Sequence, residues 1–356
     1  MEKLMKAFVF YGVGNARLEE IPVPKPDYGE AVLKVNLTTI CTTDIHILEG
    51  DFPVKPGIVI GHEFVGKIKE LGHGVEGYEV GERVAVCADT PCGQCFECLG
   101  NVNGRGCHAH GSLSAFHLGA LRNGAHAEYV AVPFAQANMA KIPDELSDEQ
   151  VLFVGDVVST GFSASETAGM RIGDTVVIFG QGPIGLAATV GAKLSGAGFI
   201  ITVDTLPMRM EMSRKMGADV VVDASKVDAI AEIEKLTEGR MADVSIEVVG
   251  KPATFLNALK AIRAGGVLSS IGNYGFKGSL PLPLDAFLAG VGDKKIFTTT
   301  SPGGKDRARR LLNMIQHGKF DLTTLITHRF PLDQIEKAYE VFQGDKNKVL
   351  KVAIKP

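Results

Sequence analysis

The stretch Thr175-Val-Val-Ile-Phe-Gly-Gln-Gly-Pro-Ile-Gly185 decides the fold of the second half of the chain. Its first five residues have the composition of a buried strand, and the pattern G-x-G-x-x-G follows them directly. The proline suits the first turn of a helix, where its missing N–H costs nothing. A strand, a glycine turn and a helix predict one unit of a doubly wound parallel sheet, with a phosphate group held at the helix N-terminus. The loop residues expected at that phosphate group are Gly180, Gly182, Pro183, Ile184 and Gly185.

The predicted secondary structure differs between the first part of the chain and the part that contains this stretch. Strand-like and helix-like runs alternate over residues 156–297, which predicts βαβ units and a parallel sheet covered on both faces. Residues 1–155 contain short β-type runs broken by Gly and Pro, which is typical of a β-rich, barrel-like domain. We expect the tail, residues 298–356, to return to this first domain. The predicted fold is therefore α/β with two domains.

A second copy of the glycine pattern, at residues 72–77, is interpreted differently. Residues 78–86 follow it, and they are typical of a turn and a strand rather than a helix. We therefore interpret residues 72–77 as a hairpin connection.

Asp204 stands at the end of the next predicted strand, Phe199 to Asp204. A carboxylate there accepts hydrogen bonds from both hydroxyls of an adenosine ribose, whereas a 2′-phosphate meets like charge. The sequence therefore predicts NAD in preference to NADP. Arg209 lies close by, and its guanidinium partly offsets this preference.

The segments Cys41-Thr-Thr-Asp-Ile-His46 and Gly61-His-Glu63 combine metal ligands with proton-handling groups. A thiolate and an imidazole suit Zn²⁺, and a catalytic zinc needs three protein ligands and one open position. Cys41 and His62 supply two ligands, and Asp44 is placed to orient a ligating histidine. Thr43 and His46 are candidates for passing a proton to solvent. A buried thiol and a satisfied core histidine are the alternative for isolated residues, and the clustering argues against it.

Four cysteines, Cys92, Cys95, Cys98 and Cys107, lie within sixteen residues. They are sufficient for a closed Cys₄ zinc site, which has no open position and fixes a loop instead of catalysing. A redox pair and a nucleic-acid-binding zinc ribbon are the alternatives. His108 and His110 are substitute ligands, and Cys87 is most simply a buried thiol.

The composition limits the partners of the chain. It has 356 residues, a net charge of -4, 45% hydrophobic and 22% charged residues. We expect neither nucleic acid nor a membrane as partner, because the chain has no long basic block and no apolar run of about 18 residues. No secretory signal is visible at the amino terminus, so we expect a cytoplasmic protein. The expected partners are a small molecule and copies of the same chain.

Together these motifs resemble the zinc-dependent medium-chain alcohol dehydrogenases, from Lys6 to Val352. The resemblance implies a GroES-like catalytic domain, a Rossmann domain, and hydride transfer between a nicotinamide and an alcohol or carbonyl. It assigns the catalytic zinc to Cys41 and His62, and the proton relay to Thr43 and His46. Glu63 is expected beside the metal as a transient ligand. Two zinc ions per chain are implied, one catalytic and one structural.

Asp156 falls where many relatives have a cysteine as third zinc ligand. A carboxylate there is similar to the bacterial secondary alcohol dehydrogenases, which reduce small methyl ketones. That branch commonly lacks the cysteine lobe and often uses NADP, so this chain combines features of two branches. The resemblance further places Thr160 and Val249 near the nicotinamide and Lys351 at the pyrophosphate. Apolar packing and a solvated surface lysine are the alternatives for Val249 and Lys351.

The resemblance leaves other functions open. A polyol, amino-alcohol or formaldehyde dehydrogenase on the same scaffold is the alternative enzyme. A catalytically silent nucleotide-binding homologue is disfavoured, because Cys41, His62 and Asp156 are all present. By resemblance, a homotetramer is expected first and a dimer second.

Overall fold

The computed structural model describes residues 3–100, 106–107, 116–275, 279–288 and 291–356. It divides the chain into two compact units, residues 1–159 with 301–356, and residues 160–300. The predicted boundaries, after residues 155 and 297, lie a few residues before these. His108 and His110, the substitute ligands, lie outside the described residues.

The amino-terminal part of the first unit consists mainly of strands. In chain order, these are β1 (Leu4–Gly12), β2 (Asn15–Pro22), β3 (Ala31–Thr39), β4 (Ile58–Val59), β5 (Glu63–Leu71), β6 (Arg83–Val86), β7 (Tyr129–Val132) and β8 (Met139–Lys141). In the described parts of this segment, four short helices interrupt them: α1 (Thr42–Glu49), α2 (Phe96–Gly100), α3 (Ala135–Asn138) and α4 (Asp148–Val151). A π-helix, Val154–Val158, follows α4 and leads into α5 (Ser159–Ala168).

The second unit has the predicted alternation of strands and helices. Its strands are β9 (Thr175–Phe179), β10 (Phe199–Asp204), β11 (Val220–Asp223), β12 (Ala242–Glu247), β13 (Ile262–Ser270) and β14 (Lys295–Thr298). Its helices after α5 are α6 (Pro183–Leu194), α7 (Pro207–Met216), α8 (Ala229–Leu236), α9 (Pro252–Lys260) and α10 (Leu284–Phe287). The six strands form one parallel sheet in the order β11-β10-β9-β12-β13-β14. Val177, Ile201 and Leu268 are among its fully buried residues, so near-continuous apolar runs form these strands, as expected of a sheet buried on both faces.

The carboxyl-terminal part completes the first unit. It contains α11 (Lys305–Gln316), β15 (Ile326–Pro331), α12 (Ile335–Gln343) and β16 (Lys351–Lys355), with short 3₁₀ turns at Thr323–Leu325 and Leu332–Gln334. Strand β16 pairs with β3, so the tail belongs to the first unit. The larger sheet of this unit has the order β15-β16-β3-β5-β6-β8, with β7 also on β3, and a smaller sheet has the order β2-β1-β4.

The hairpin prediction for residues 72–77 is confirmed, because these residues connect the antiparallel strands β5 and β6. Among the described residues, no helix combines the length and the apolar composition needed to cross a membrane.

Candidate active site

Two neighbouring strands of the first unit bring the predicted zinc ligands together. In the antiparallel pair β3–β5, Thr39 lies opposite Glu63. Cys41 comes two residues after Thr39, at the N-terminus of α1, and His62 directly precedes Glu63. Asp156 approaches from the π-helix. Among the described residues, Cys41, His62, Glu63 and Asp156 offer ligand atoms that all lie within 4.8 Å of one another.

The geometry of this cluster fits a tetrahedral zinc ion. Sγ of Cys41 lies 3.7 Å from Oδ2 of Asp156, and Nε2 of His62 lies 3.7 Å from the same oxygen. Ligands at the usual Zn–S, Zn–N and Zn–O distances are separated by about 3.4–3.6 Å in a tetrahedron. One thiol, one imidazole and one carboxylate are a donor set that zinc accepts. The arrangement is therefore suited to a metal with three protein ligands.

Asp44 connects the two ligands that the sequence motif predicted. Its Oδ2 accepts a hydrogen bond from the backbone N–H of Cys41 at 2.8 Å, and its Oδ1 lies 3.4 Å from Nδ1 of His62. Burial raises the pKa of Asp44, but His62 outweighs this and the pKa lies below its usual range. Burial lowers the pKa of His62, but Asp44 and Asp156 raise it well above its usual range. One buried carboxylate thus fixes the helix start and faces the imidazole.

Lys351 corrects a prediction. It is only 2% exposed, and its ammonium donates to the carboxylate of Glu63 and, at 3.1 Å, to the carbonyl of Ile40. Burial lowers the pKa of Lys351, but Glu63 outweighs this and the pKa is raised. The surface-lysine alternative is therefore wrong, and the pyrophosphate contact stays a prediction. Burial raises the pKa of Glu63 to about 7, and Lys351 opposes this rise.

The two relay candidates lie on α1. Oγ1 of Thr43 is 3.6 Å from Sγ of Cys41. His46 lies three residues after Thr43, so both side chains are on one face of the helix. Nδ1 of His46 is 3.6 Å from Oδ2 of Asp51, and its side chain is 31% exposed. The partly exposed ring of His46 gives this face of α1 access to solvent.

Two aromatic residues beside the cluster were not predicted. The ring of Phe116 packs edge-on against His62, with centroids 5.0 Å apart, and Phe52 packs against Phe116 at 5.6 Å. Both aromatic side chains are half-buried. A phenylalanine side chain has no metal-binding or titratable group, so the sequence contained no signal for them. They give the cluster an apolar wall.

The four lobe cysteines also converge. Sγ atoms of Cys92, Cys95, Cys98 and Cys107 lie within 4.8 Å of one another, and those of Cys92 and Cys98 are 3.9 Å apart. Sulfurs around a tetrahedral zinc are separated by about 3.8 Å, and all four are free thiols in the structure. The lobe therefore fits a closed Cys₄ zinc. Cys87 is fully buried, as predicted, and burial raises its pKa to about 12.

The glycine loop lies at the carboxyl end of β9 in the second unit, and α6 starts at Pro183 with Gly182 as its N-cap. A Cβ at Gly185 would lie 1.9 Å from the carbonyl oxygen of Gly180, so only glycine fits there. The side chain of Val249 packs on Gly180. Thr160 is buried in the same unit, where its carbonyl accepts from Ser163.

Asp204 is anchored to the glycine loop. Its Oδ2 accepts from the N–H of Gln181 at 2.5 Å, and its Oδ1 accepts from the N–H groups of Thr205 and Leu206. A carboxylate has about four acceptor positions, so one remains for a ligand. Arg209 stands nearby, half-buried, with Nη1 3.7 Å from a Cβ placed on Gly182. Burial lowers its pKa, and Asp204 opposes this.

Comparisons with known proteins agree with this geometry. Residues 27–144 match the family model of the alcohol dehydrogenase GroES-like domain, and residues 183–317 match that of the zinc-binding dehydrogenases. The chain is 46% identical to an alcohol dehydrogenase of Cupriavidus necator over 367 aligned positions, which cover 100% of both chains. It is 33% identical to the NADP-dependent isopropanol dehydrogenase of Thermoanaerobacter brockii, with 98% of this chain and 99% of that relative covered.

A solved structure supports the same fold and family. Zinc dependent alcohol dehydrogenase 2 from Streptococcus pneumonia superposes with a TM-score of 0.88 at 32% identity, covering 99% of this chain and 98% of that one. The predicted fold, a GroES-like domain with a Rossmann domain, is confirmed. The predicted enzyme class is also confirmed: a zinc-dependent oxidoreductase that transfers hydride between a nicotinamide cofactor and an alcohol or carbonyl compound. The chain belongs to the family of zinc-dependent medium-chain alcohol dehydrogenases.

Proposed function

We propose that this enzyme interconverts small secondary alcohols and ketones with NAD(H), at a zinc ion held by Cys41, His62 and Asp156. The observation that carries the proposal is the convergence of these three donors, with a carboxylate as the third. The Thermoanaerobacter brockii relative, named an isopropanol dehydrogenase, supports a secondary alcohol as the substrate class.

The residues around the three zinc ligands then have distinct roles in binding and proton transfer. Bound zinc supplies Lewis acidity, which lowers the pKa of an alcohol and polarises a ketone. Asp44 orients the imidazole of His62 through Nδ1. The hydroxyl of Thr43 accepts the substrate proton and passes its own toward His46, whose ring reaches solvent. Lys351 holds the carboxylate of Glu63 at the side of the cluster.

The apolar wall supports a small hydrophobic substrate. Phe52 and Phe116 offer no hydrogen bond to additional hydroxyl or ammonium groups, so a polyol or amino alcohol would leave polar groups unpaired against them. A methyl or ethyl substituent has no polar group that would be left without a hydrogen bond against these rings. The two rings therefore favour a secondary alcohol dehydrogenase over a polyol, amino-alcohol or formaldehyde dehydrogenase.

We propose NAD as the preferred cofactor, although the Thermoanaerobacter brockii relative is named NADP-dependent. The support is Asp204, whose charge would meet a 2′-phosphate. At about 4 Å and an effective dielectric constant near 20, this repulsion is about 4 kcal/mol before screening. Arg209 lies close enough to Asp204 for the two charges to interact, so its positive charge reduces this penalty without removing it.

A second zinc, in the cysteine lobe, is proposed as structural because all four ligand positions are protein sulfurs. We further propose a cytoplasmic homotetramer, with a dimer second. The support is that β14 is the last strand of its sheet, together with exposed apolar side chains close to it in sequence, since an edge strand and an exposed apolar patch favour pairing with another chain. The exposed residues are Leu282, Leu284, Phe287, Val291 and Phe297.

Initial rates with matched panels of secondary alcohols, primary alcohols and polyols, each with NAD and NADP, test the proposal. We expect the highest kcat/KM for a small secondary alcohol with NAD, and two zinc ions per chain by metal analysis. A kcat/KM with NADP equal to or above that with NAD contradicts the cofactor assignment. A polyol as the best substrate contradicts the substrate class.

A further inference from the structure

A buried carboxylate outside the predicted site links two loops of the second unit. Glu247 is the last residue of β12 and is fully buried. Its Oε1 accepts hydrogen bonds from the backbone N–H groups of Val249 and Gly250, both at 2.9 Å, and from the hydroxyl of Thr254 at 2.7 Å. This oxygen therefore fixes the loop that follows β12.

The other oxygen fixes the end of β13 and the first residues after it, up to Tyr274. Oε2 of Glu247 accepts from the hydroxyl of Tyr274 and, at 3.4 Å, from that of Ser270. The half-buried ring of Tyr274 packs edge-on against Phe255, with centroids 6.0 Å apart. One side chain thus holds the ends of two neighbouring strands in one arrangement.

The segments that follow β12 and β13 approach each other so closely that only glycine fits at the contact. A Cβ at Gly250 would lie 2.1 Å from the carbonyl oxygen of Asn273, and one at Gly272 would lie 2.4 Å from the backbone nitrogen of Gly250. A Cβ at Gly180 would lie 2.6 Å from Cγ2 of Val249. The glycine loop after β9 and the loops after β12 and β13 therefore interlock.

This crossing lies at the point where the strand order reverses. From β9 the sheet continues to β10 and β11 on one side, and to β12 and β13 on the other. Dinucleotides bind in such sheets outside the carboxyl ends of the strands, at this switch point. Glu247 ends the strand next to β9 on the far side of the reversal. The loops that it fixes border the expected cofactor crevice.

We infer that Glu247 and Tyr274 are positioning residues for the nicotinamide cofactor. The hydroxyl of Tyr274 acts through the carboxylate of Glu247, which sets the backbone of Val249 and Gly250 against the glycine loop. The inference rests on the proposed function, because it requires that this edge of the sheet binds NAD(H). Neither residue contacts the reacting atoms in this account.

Tyr274→Phe removes only the hydroxyl and keeps the ring against Phe255. Ser245→Ala is the matched control, because Ser245 lies on the same strand and donates a buried hydroxyl bond of 2.7 Å to the carbonyl of Ala258. The chain has no tryptophan, so the fluorescence of NADH can be used to measure binding without interfering tryptophan fluorescence from the protein. The readouts are the dissociation constant of NADH, the melting temperature, and the KM of the alcohol at saturating NAD.

We expect Tyr274→Phe to weaken NADH binding about tenfold, the scale of one lost hydrogen bond to a charged group. Ser245→Ala should stay within about twofold, although it removes a comparable bond. The KM of the alcohol should be unchanged in both variants. In a Glu247→Gln background, Tyr274→Phe should add little, because the two residues act as one unit.

Two outcomes overturn the inference: NADH binding by Tyr274→Phe within twofold of the parent, or an equal loss in Ser245→Ala. Full additivity of Tyr274→Phe with Glu247→Gln contradicts the coupling between them. If the parent protein binds neither NADH nor NADPH, the proposed function itself fails. That failure is distinct from failure of the inference, because it is observed in the parent protein without any variant.

Discussion

The ammonium group of Lys351 is buried against the carboxylate of Glu63, beside the predicted zinc ligands. The two residues are 288 positions apart in the chain. Lys351 lies on β16, the strand that returns from the tail to pair with β3. The carboxyl-terminal segment therefore contributes a cation to the candidate active site.

Replacement of Lys351 tests the energetic role of this pair. Lys351→Met leaves the buried carboxylate of Glu63 without its cation, so we expect the free energy of unfolding to fall by about 3–5 kcal/mol. Urea denaturation measures the loss. The double variant Glu63→Gln, Lys351→Met removes both charges and should recover most of it. A loss below about 1 kcal/mol in the single variant contradicts a compensated buried ion pair.

The apolar wall predicts a change in substrate preference. Phe116→Ala removes the ring that packs on His62, and we expect kcat/KM for a small secondary alcohol to fall about tenfold, on the scale of 1–3 kcal/mol for one apolar contact. Activity toward a polyol should fall less. Leu121→Ala, at an exposed position nearby in sequence, is the control. Equal losses for both substrate classes would mean that the ring only supports the fold.

Asp204 predicts the cofactor preference. Asp204→Asn keeps an oxygen for the N–H of Gln181 but removes the charge, so we expect the NADP-to-NAD ratio of kcat/KM to rise about 10–100-fold. Asp223→Asn is the matched control, since Asp223 lies opposite Asp204 in the register of β10 and β11. An unchanged ratio in Asp204→Asn would show that the charge of Asp204 does not determine the preference for NAD over NADP.

The cysteine lobe predicts separable zinc ions. Cys98→Ser should lower the zinc content from two ions per chain to one, because a closed site needs all four sulfurs. We expect a lower melting temperature, by about 2–4 °C for each kcal/mol lost, while the remaining folded enzyme retains turnover. Cys87→Ser, at a buried thiol outside the lobe, should retain both ions. Loss of all zinc in Cys98→Ser would contradict independent sites.

The sequence predicted those features whose signal is local. The strand Thr175–Phe179 has the predicted bounds because an apolar run and a glycine pattern delimit it. Cys41 and His62 were found by residue type and clustering. Asp156 came only from the resemblance, since no local pattern predicts that a π-helix will place a carboxylate at the cluster.

Features formed by distant segments were missed or misread. The ion pair of Lys351 with Glu63 was missed, because the sequence around Lys351 does not reveal that β16 places it beside that carboxylate. Phe116 contacts its neighbours by ring packing and Tyr274 by hydroxyl hydrogen bonds to Glu247 and Ser270, and both residue types are ordinary in any core or loop. Helix α1 was not predicted, although Asp44 caps its first turn. Their roles depend on tertiary contacts that no local pattern encodes.

The central claim is that Cys41, His62 and Asp156 hold the catalytic zinc. Its most direct test is a paired measurement of zinc content and propan-2-ol oxidation rate in Asp156→Ala, with Cys98→Ser alongside. We predict that Asp156→Ala retains the lobe zinc, loses the second ion, and loses turnover by at least about 10³-fold, since the Lewis acid is absent. Full zinc content with near-parental turnover in Asp156→Ala would contradict the account.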